Sequence, residues 1–237
     1  MASAFERQPL SISARLIDAF VQYRSVPTPD DVARYLAANI HSRAEVMAKP
    51  PLVEQVAGVY GWWFRELPGD IDVAHCEVRD ARTLLYAGIS PKAPPKNGQN
   101  ASRQSLRKRI RTHYSGNAAR STLRLTLGCL LAEHLGIELR RYGSSERLHF
   151  GAGEQDLSRW MAANAFVSWY PTPQPWLLED HLLETQDLPL NLDKNNRNPF
   201  HSQLSDARAA AKARARSLPV LRNPGIGGAH VSDNGVA

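Results

Sequence analysis

VAGVYGWWFREL, residues 56–67, is an aromatic segment rich in residues that favour β-structure. This composition is typical of a buried β-strand. The turn formers Pro68-Gly69-Asp70 follow it, and RTLLYAGI, residues 82–89, gives a second strand of similar character. The two segments therefore predict a β-hairpin with a long and partly polar connection.

Helices are predicted on both sides of this hairpin. Thr28 is typical of a helix N-cap, Pro29 of the first helical position, and Asp30 and Asp31 of the first turn. Apolar residues at helical spacing predict an earlier helix within residues 10–23. Further helices are predicted over residues 104–114, 121–134, 154–167 and 176–183, a short strand over 147–151, and a last basic helix from 198–199 to about 217.

The order of these elements divides the chain into three parts. A proline pair ends the N-terminal helices, and the chain closes with a glycine-containing tail that has no apolar periodicity and is predicted to be disordered. We predict an N-terminal helical extension over residues 1–50, a main domain over 51–200 with insertions at about 90–103 and 136–175, and a basic helix with its tail over 201–237.

The composition predicts a folded globule, since 43% of the 237 residues are hydrophobic and five are tryptophan. The apolar run over residues 125–132 is too short to span a bilayer. Glu6 and Arg7 lie where a signal peptide requires apolar residues, so we expect a soluble, cytoplasmic protein with no membrane partner. Cys76 and Cys129 form no CxxC pair and predict no structural zinc site.

The distribution of charge favours an anionic partner. The formal net charge is +6, and the chain has no acidic residue between Asp80 and Glu133. A segment of one sign is costly to hold together unless a polyanion neutralises it, although a solvated basic face is the alternative. We predict that eight basic residues of this segment contact a phosphate backbone: Lys92, Lys96, Arg103, Arg107, Lys108, Arg111, Arg120 and Arg124.

Hydrolysis of a phosphodiester places specific demands on side chains. Water must be deprotonated, the charge on phosphorus must be stabilised and the leaving oxygen must be assisted. A carboxylate that binds Mg²⁺ and an arginine that donates to phosphate oxygens meet the second and third demands. A tyrosine can accept the proton if its pKa falls from about 10 to ~7, a change of roughly 4 kcal/mol that adjacent cations can supply.

Two triplets place such residues in a recognisable order. Gly58-Val59-Tyr60 and Tyr86-Ala87-Gly88 lie in the two predicted strands, and Arg109 with His113 follows one helical turn apart. With Glu179 and Asn191 further on, the chain resembles the GIY-YIG nuclease family from about residue 55 to 192, and in particular its stand-alone bacterial members. Among the departures, Ala87 replaces the usual branched residue of the second triplet, and Ile89-Ser90 stands where many members have a lysine or another polar residue.

The resemblance implies a fold and an activity. The fold is α+β, with a small central antiparallel β-sheet flanked by helices, here with an N-terminal helical extension and an inserted segment. The activity is that of an endonuclease that uses one Mg²⁺ or Mn²⁺ ion to hydrolyse nucleic acid, with double-stranded DNA as the expected substrate. DNA is preferred over RNA here because most of the family acts on DNA.

The resemblance also implies a role for each site residue. Tyr60 would activate the water and Tyr86 would orient water or phosphate. Arg109 would hold the scissile phosphate. His113 projects from the same helical face and would assist proton transfer or bind phosphate. Glu179 would be the single metal ligand, and Asn191 would structure the site from the turn after that helix.

Other interpretations stay open at this point. Tyrosines in strands are often core residues, and Asp180 and Glu184 compete with Glu179 as the carboxylate. A protein that keeps the fold and binds nucleic acid without cutting it is one alternative. A helical interaction protein whose tyrosines belong to the core is another, although the acid-free segment counts against it.

Overall fold

The computed structural model describes residues 27–95 and 102–223. The helix predicted within residues 10–23, Lys96 and the tail after residue 223 lie outside these ranges. The described helices are α1 (Pro29–Ala37), α2 (Arg43–Met47), α3 (Leu106–Ser115), α4 (Thr122–Leu130), α5 (Ala132–Leu135), α6 (Gly153–Asn164), α7 (Pro175–Thr185) and α8 (His201–Ser217). The described strands are β1 (Gly58–Phe64), β2 (Val78–Arg79), β3 (Arg82–Ser90), β4 (Arg140–Tyr142), β5 (Arg147–His149) and β6 (Ala165–Pro171).

The central sheet is built around β1, the first of the two predicted strands. Its strand order is β2-β3-β1-β6, and every pairing is antiparallel. All seven residues of β1 are buried because helices cover both faces of the sheet. Tyr60 and Trp62 point to one face and Val59 and Trp63 to the other, as the alternation of a strand requires.

Each face of the sheet has its own hydrophobic cluster. On the face of Tyr60, α3 and α6 contribute Ile110 and Leu157. On the face of Val59, α1 and α7 contribute buried side chains that include Tyr35, Leu178 and Leu182. The predicted α+β fold, a small antiparallel sheet flanked by helices, is therefore confirmed.

The predicted helix over residues 154–167 is too long. α6 ends at Asn164, and the next seven residues form β6, which pairs with β1 along its whole length. The segment AFVSWYP is rich in aromatic and branched residues, and pairing with β1 satisfies its backbone more fully than another helical turn would. Pro171 ends this edge strand, a position that proline tolerates.

Other element boundaries also differ from prediction. The predicted helix over residues 121–134 is divided at Leu131 (ψ 7°) into α4 and α5. The strand predicted over residues 147–151 ends at His149, because Gly151 turns the chain at a positive φ of 59°, and its partner β4 was not predicted. The start of α1 is confirmed, since Thr28 and Asp31 form a reciprocal capping box.

Within the described ranges, no helix combines the length and the apolar character that a membrane span requires.

Candidate active site

The site lies at the outer edge of β3, beyond the short strand β2. The backbone N–H of Leu190 donates to the carbonyl of Leu85 at 2.9 Å. The side-chain amide of Asn191 continues this pairing, since its Oδ1 accepts from Ala87 N at 2.9 Å and its Nδ2 donates to Ala87 O at 2.8 Å. Asn191 is buried and uses both polar side-chain atoms on the backbone N–H and C=O of one residue, Ala87, so it attaches the loop after α7 to the second triplet.

A cleft of about 510 Å³ opens at this edge. It brings together residues that are far apart in the chain, because β3, α3 and α7 all reach it. Tyr86, Arg109, Glu179 and Asn191 line it. The other two predicted site residues, Tyr60 and His113, are buried behind it at 1% and 0% exposure.

Tyr60 and His113 form a buried hydrogen-bonded pair. The Tyr60 hydroxyl lies 2.9 Å from Nε2 of His113, and Nδ1 of the same ring lies 2.7 Å from Oγ of Ser121. Arg109 donates from Nε to the Tyr60 oxygen at 3.4 Å. Because this oxygen already accepts from a cation, its own proton is free to point at Nε2. The network thus assigns a neutral imidazole with its proton on Nδ1, facing Ser121.

Electrostatics support this protonation state. Burial lowers the pKa of His113 well below 6.5, and the neighbouring Arg109 and Arg124 lower it further. A neutral imidazole at this position is a proton acceptor for Tyr60. Since His113 is fully buried, it cannot bind a phosphate directly, and that part of the sequence-based expectation is wrong.

The acidity of Tyr60 also differs from expectation. Burial raises its pKa well above 10, and Arg109 offsets this rise only in part. Burial likewise raises the pKa of Tyr86, with Thr122 and Arg109 opposing it. The expectation that cations bring the tyrosine to ~7 is therefore wrong for this state of the protein, because desolvation of the phenolate outweighs their attraction.

Gly88 makes this arrangement possible. It lies directly opposite Tyr60 in the sheet, so both residues face the same side. A Cβ atom on Gly88 would lie 2.5 Å from the Tyr60 hydroxyl and 2.9 Å from the Tyr86 ring. The glycine of the second triplet therefore leaves the volume in which the Tyr60 hydroxyl meets His113 and Arg109.

Glu179 is the carboxylate that borders the cleft. Asp180 is paired with Lys194 at 2.6 Å, and Glu184 is exposed at the far end of α7. No described residue donates a hydrogen bond to Glu179. Burial raises its pKa from 4.5 to about 7, and Lys194 opposes this rise while Asp180 adds to it.

The donor set at Glu179 fits a hard divalent cation. The described residues contain no group of three or more histidine, cysteine, aspartate or glutamate side chains that could enclose a metal. One unpaired carboxylate beside an open cleft suits Mg²⁺, which keeps several waters and binds substrate phosphate oxygens. Asp193 also lines the cleft and is the other carboxylate within its wall.

A second groove, the basic groove, lies on the other side of α3. It has a volume of about 590 Å³, and no acidic side chain of the described residues lines it. Its wall includes five of the eight predicted phosphate contacts: Arg103, Arg107, Lys108, Arg111 and Arg120. Arg109 donates from Nη1 to the carbonyl of Arg120 at 3.3 Å, which joins the basic groove to the cleft. Lys92 lines the cleft itself.

Arg124 is the exception among the predicted phosphate contacts. Its side chain is fully buried, and Nη2 lies 2.6 Å from the Glu154 carboxylate. The guanidinium also donates to the carbonyls of Glu154 and His113 and to Ser158. The prediction for Arg124 is therefore wrong, because its donors are already used inside the protein, where it joins α4 to α6.

The structure adds Arg208 to the cleft wall. The last helix is predicted to be basic, and one of its basic residues, Arg208, is half-buried and lines the cleft with Thr122 and Thr126. A signal was present in the sequence. Arg208 falls in the row formed by Leu204, Ala211 and Ala215, which is the buried face of α8.

Comparison with known proteins identifies the class of this fold and site. Residues 58–210 match the family described as the GIY-YIG catalytic domain. The match spans more than half of the chain, so the chain belongs to this family. Its function is accordingly of the nuclease type, with nucleic acid as the partner. No curated protein and no solved structure gives a significant match.

Proposed function

We propose that this chain is a metal-dependent endonuclease that hydrolyses phosphodiester bonds of DNA in the cleft at β3. The convergence of Tyr86, Arg109 and Glu179 on one cleft carries the proposal. These residues come from three elements and surround a space in which a phosphate can meet a cation and a proton acceptor together. A protein that only binds nucleic acid has no need of a half-buried carboxylate without a partner in its binding cleft.

The proton of the attacking water has a path away from the cleft. Tyr86 borders the cleft, and Tyr60 lies directly behind it with its ring centroid 6.5 Å away. Tyr60 in turn donates to the neutral imidazole of His113. A tyrosine that gives its proton to Nε2 as it accepts another never becomes a free phenolate, which is consistent with the raised pKa of Tyr60. The imidazole in turn would pass its Nδ1 proton toward the Ser121 hydroxyl at 2.7 Å, so that it does not stay charged.

Two charges would act on the phosphate. Arg109 is held in place by Tyr60 and by the Arg120 carbonyl, and its guanidinium lines the cleft. Glu179 would hold Mg²⁺ or Mn²⁺, which when bound neutralises charge on the phosphate and assists the leaving oxygen. The cation would also favour the ionised form of Glu179, whose pKa is otherwise raised to about 7.

The basic groove gives the polymer a place to lie. It adjoins the cleft through Arg120, so a strand with its scissile phosphate at Arg109 can continue along Lys108 and Arg111. Several phosphate contacts of this kind predict binding that weakens steeply with salt. A polymeric substrate therefore suits the surface better than a mononucleotide does.

A plasmid-nicking assay tests the proposal. With Mg²⁺ or Mn²⁺ the parental protein should convert supercoiled plasmid to nicked and linear forms, and EDTA should stop the reaction. Glu179→Ala should lose cleavage while binding nearly normally in a filter assay. Glu184→Ala is the matched control, because it removes an exposed carboxylate from the same helix.

Each outcome decides between candidate functions. Binding without cleavage by the parental protein would identify a silent member of the family that keeps the fold as a binding module. Cleavage by Glu179→Ala at the parental rate would remove the proposed metal ligand. Neither binding nor cleavage at low salt would contradict a nucleic-acid partner altogether.

A further inference from the structure

Arg208 is a cation in the cleft wall that no step of the proposed reaction uses. It lies on α8, which packs against α4, and it lines the cleft beside Tyr86. In the buried row of α8, Arg208 lies between apolar residues: Leu204 before it and Ala215 after it are both fully buried. A charged side chain in such a row requires a partner or a function.

No described residue is a hydrogen-bond or ion-pair partner of Arg208. Its Nε is buried and makes no hydrogen bond. The contrast within the same helix is clear, since Arg214 pairs with Glu138 at 2.6 Å. The buried Arg124 is likewise fully satisfied by Glu154. A half-buried guanidinium without a carboxylate partner is a charge that the fold does not neutralise, and an anion in the cleft that it lines can do so.

The position of Arg208 differs from that of Arg109. Arg109 reaches the cleft from α3, where its Nε contacts the Tyr60 hydroxyl. Arg208 reaches the cleft from α8, which packs against α4. The two guanidinium groups therefore enter the cleft from different elements.

We propose that Arg208 binds the phosphate group adjacent to the scissile one on the strand that is cut. The inference rests on the proposed nuclease function and deepens it, because it requires a substrate with at least two consecutive phosphates in the cleft. Thr122 lies on the same wall and is exposed, so its hydroxyl can donate to the same phosphate. Arg208 is thus a substrate-binding residue that sets where along the strand the enzyme cuts.

A methylphosphonate walk tests this assignment. A duplex oligonucleotide with a mapped cleavage position is prepared with one phosphate at a time on the cut strand replaced by a neutral methylphosphonate. For the parental protein, neutralising the phosphate bound by Arg208 should lower kcat/KM about 10- to 100-fold, mainly through KM. Arg208→Ala should lose a similar factor in kcat/KM on the unmodified duplex. Neutralising the phosphate that Arg208 binds should then cause no further loss in this variant.

Controls separate binding from structure. Arg208→Lys should recover part of the loss, because it restores the charge without the fork of donors. Arg216→Ala removes the same charge from an exposed position of α8 and should cut every duplex like the parental protein. The melting temperature of Arg208→Ala should equal or exceed the parental value, since the variant loses a cation without a partner.

The possible failures are distinct. Unchanged cleavage by Arg208→Ala, or an equal loss on every duplex with a lowered melting temperature, overturns the assignment and leaves the nuclease function standing. If the parental protein binds without cutting, dissociation constants are measured for the same series of modified duplexes. The loss of affinity must then be confined to one phosphate position. A parental protein that neither cuts nor binds DNA overturns both proposals.

Discussion

Replacing Glu179 by glutamine should make the protein more stable at alkaline pH while removing its activity. Glu179 is half-buried between α7 and the cleft wall, and its partial burial raises its pKa from 4.5 to about 7. Glutamine keeps the shape of the protonated side chain and carries no charge at any pH. The variant therefore isolates the free energy of holding a charge at this position of the cleft.

The size and the sign follow from linkage. Because the pKa is higher in the folded state, the folded protein binds more protons than the unfolded chain between about pH 4.5 and 7. The stability that this group contributes is complete below pH 4.5 and is lost as the pH rises through 7. The difference between the two pKa values corresponds to roughly 3 kcal/mol, so Glu179→Gln should exceed the parental stability by about this amount at pH 8.5. At pH 5 the difference should shrink to about 1 kcal/mol.

Urea unfolding in EDTA at the two pH values measures this difference, with Glu184→Gln as the control from the exposed end of α7. Comparing variants at each pH cancels the contribution of every other titrating group. Added Mg²⁺ should stabilise the parental protein and leave Glu179→Gln unchanged, because an ion that binds only the folded state raises its stability. A variant that is no more stable than the parent at pH 8.5 would refute the reasoning, since the carboxylate would then not be held in a desolvated site.

Three further substitutions have expected outcomes of their own. Gly88→Ala should reduce cleavage more than 100-fold, roughly the effect of removing a general acid–base group, because a Cβ atom there would displace the Tyr60 hydroxyl; a near-parental kcat would contradict this. His113→Phe should lower kcat by about 10²- to 10⁴-fold with little change in KM, since it removes the proton acceptor of Tyr60, and single-turnover rates would measure it. Arg124→Ala should destabilise the fold by about 3–5 kcal/mol in urea unfolding, because it leaves Glu154 charged and without its partner. An Arg124→Ala variant of parental stability but weak DNA affinity would instead restore the role that the sequence predicts.

Local patterns predict the centre of this fold well. The first predicted strand contains β1 and the second contains most of β3, and the capping signals at Thr28 and Asp31 give the start of α1 correctly. These features depend on residues close together in the chain. β6 could not be found in the same way, because its strand conformation depends on pairing with β1, which lies about a hundred residues earlier.

The same contrast holds for the site: the motifs indicate which residues belong to it, but their burial and their pKa depend on the whole fold. The resemblance to the family, read from the order and spacing of the motifs, indicates six residues, and the structure brings four of them to one cleft with the other two behind it. The burial of these side chains, in contrast, cannot be predicted from the two triplets. The raised pKa of Tyr60 and the lowered pKa of His113 arise from desolvation by side chains of the whole cluster, so the direction of both could be read only from the folded chain.

Arg124 and Arg208 show what the fold adds to a basic sequence. Arg124 lies in the segment without acidic residues and Arg208 lies in the basic last helix, and the pattern of charge gives no reason to separate them. In the structure Arg124 is surrounded by acceptors from Glu154, Ser158 and the His113 carbonyl, and its charge is used in holding α4 to α6. Arg208 is half-buried as well, but its Nε has no acceptor and it faces the cleft. What distinguishes a structural cation from a substrate-binding one is therefore whether the protein itself supplies an anion to the guanidinium, because an incoming phosphate can take that place only where the protein has left it open.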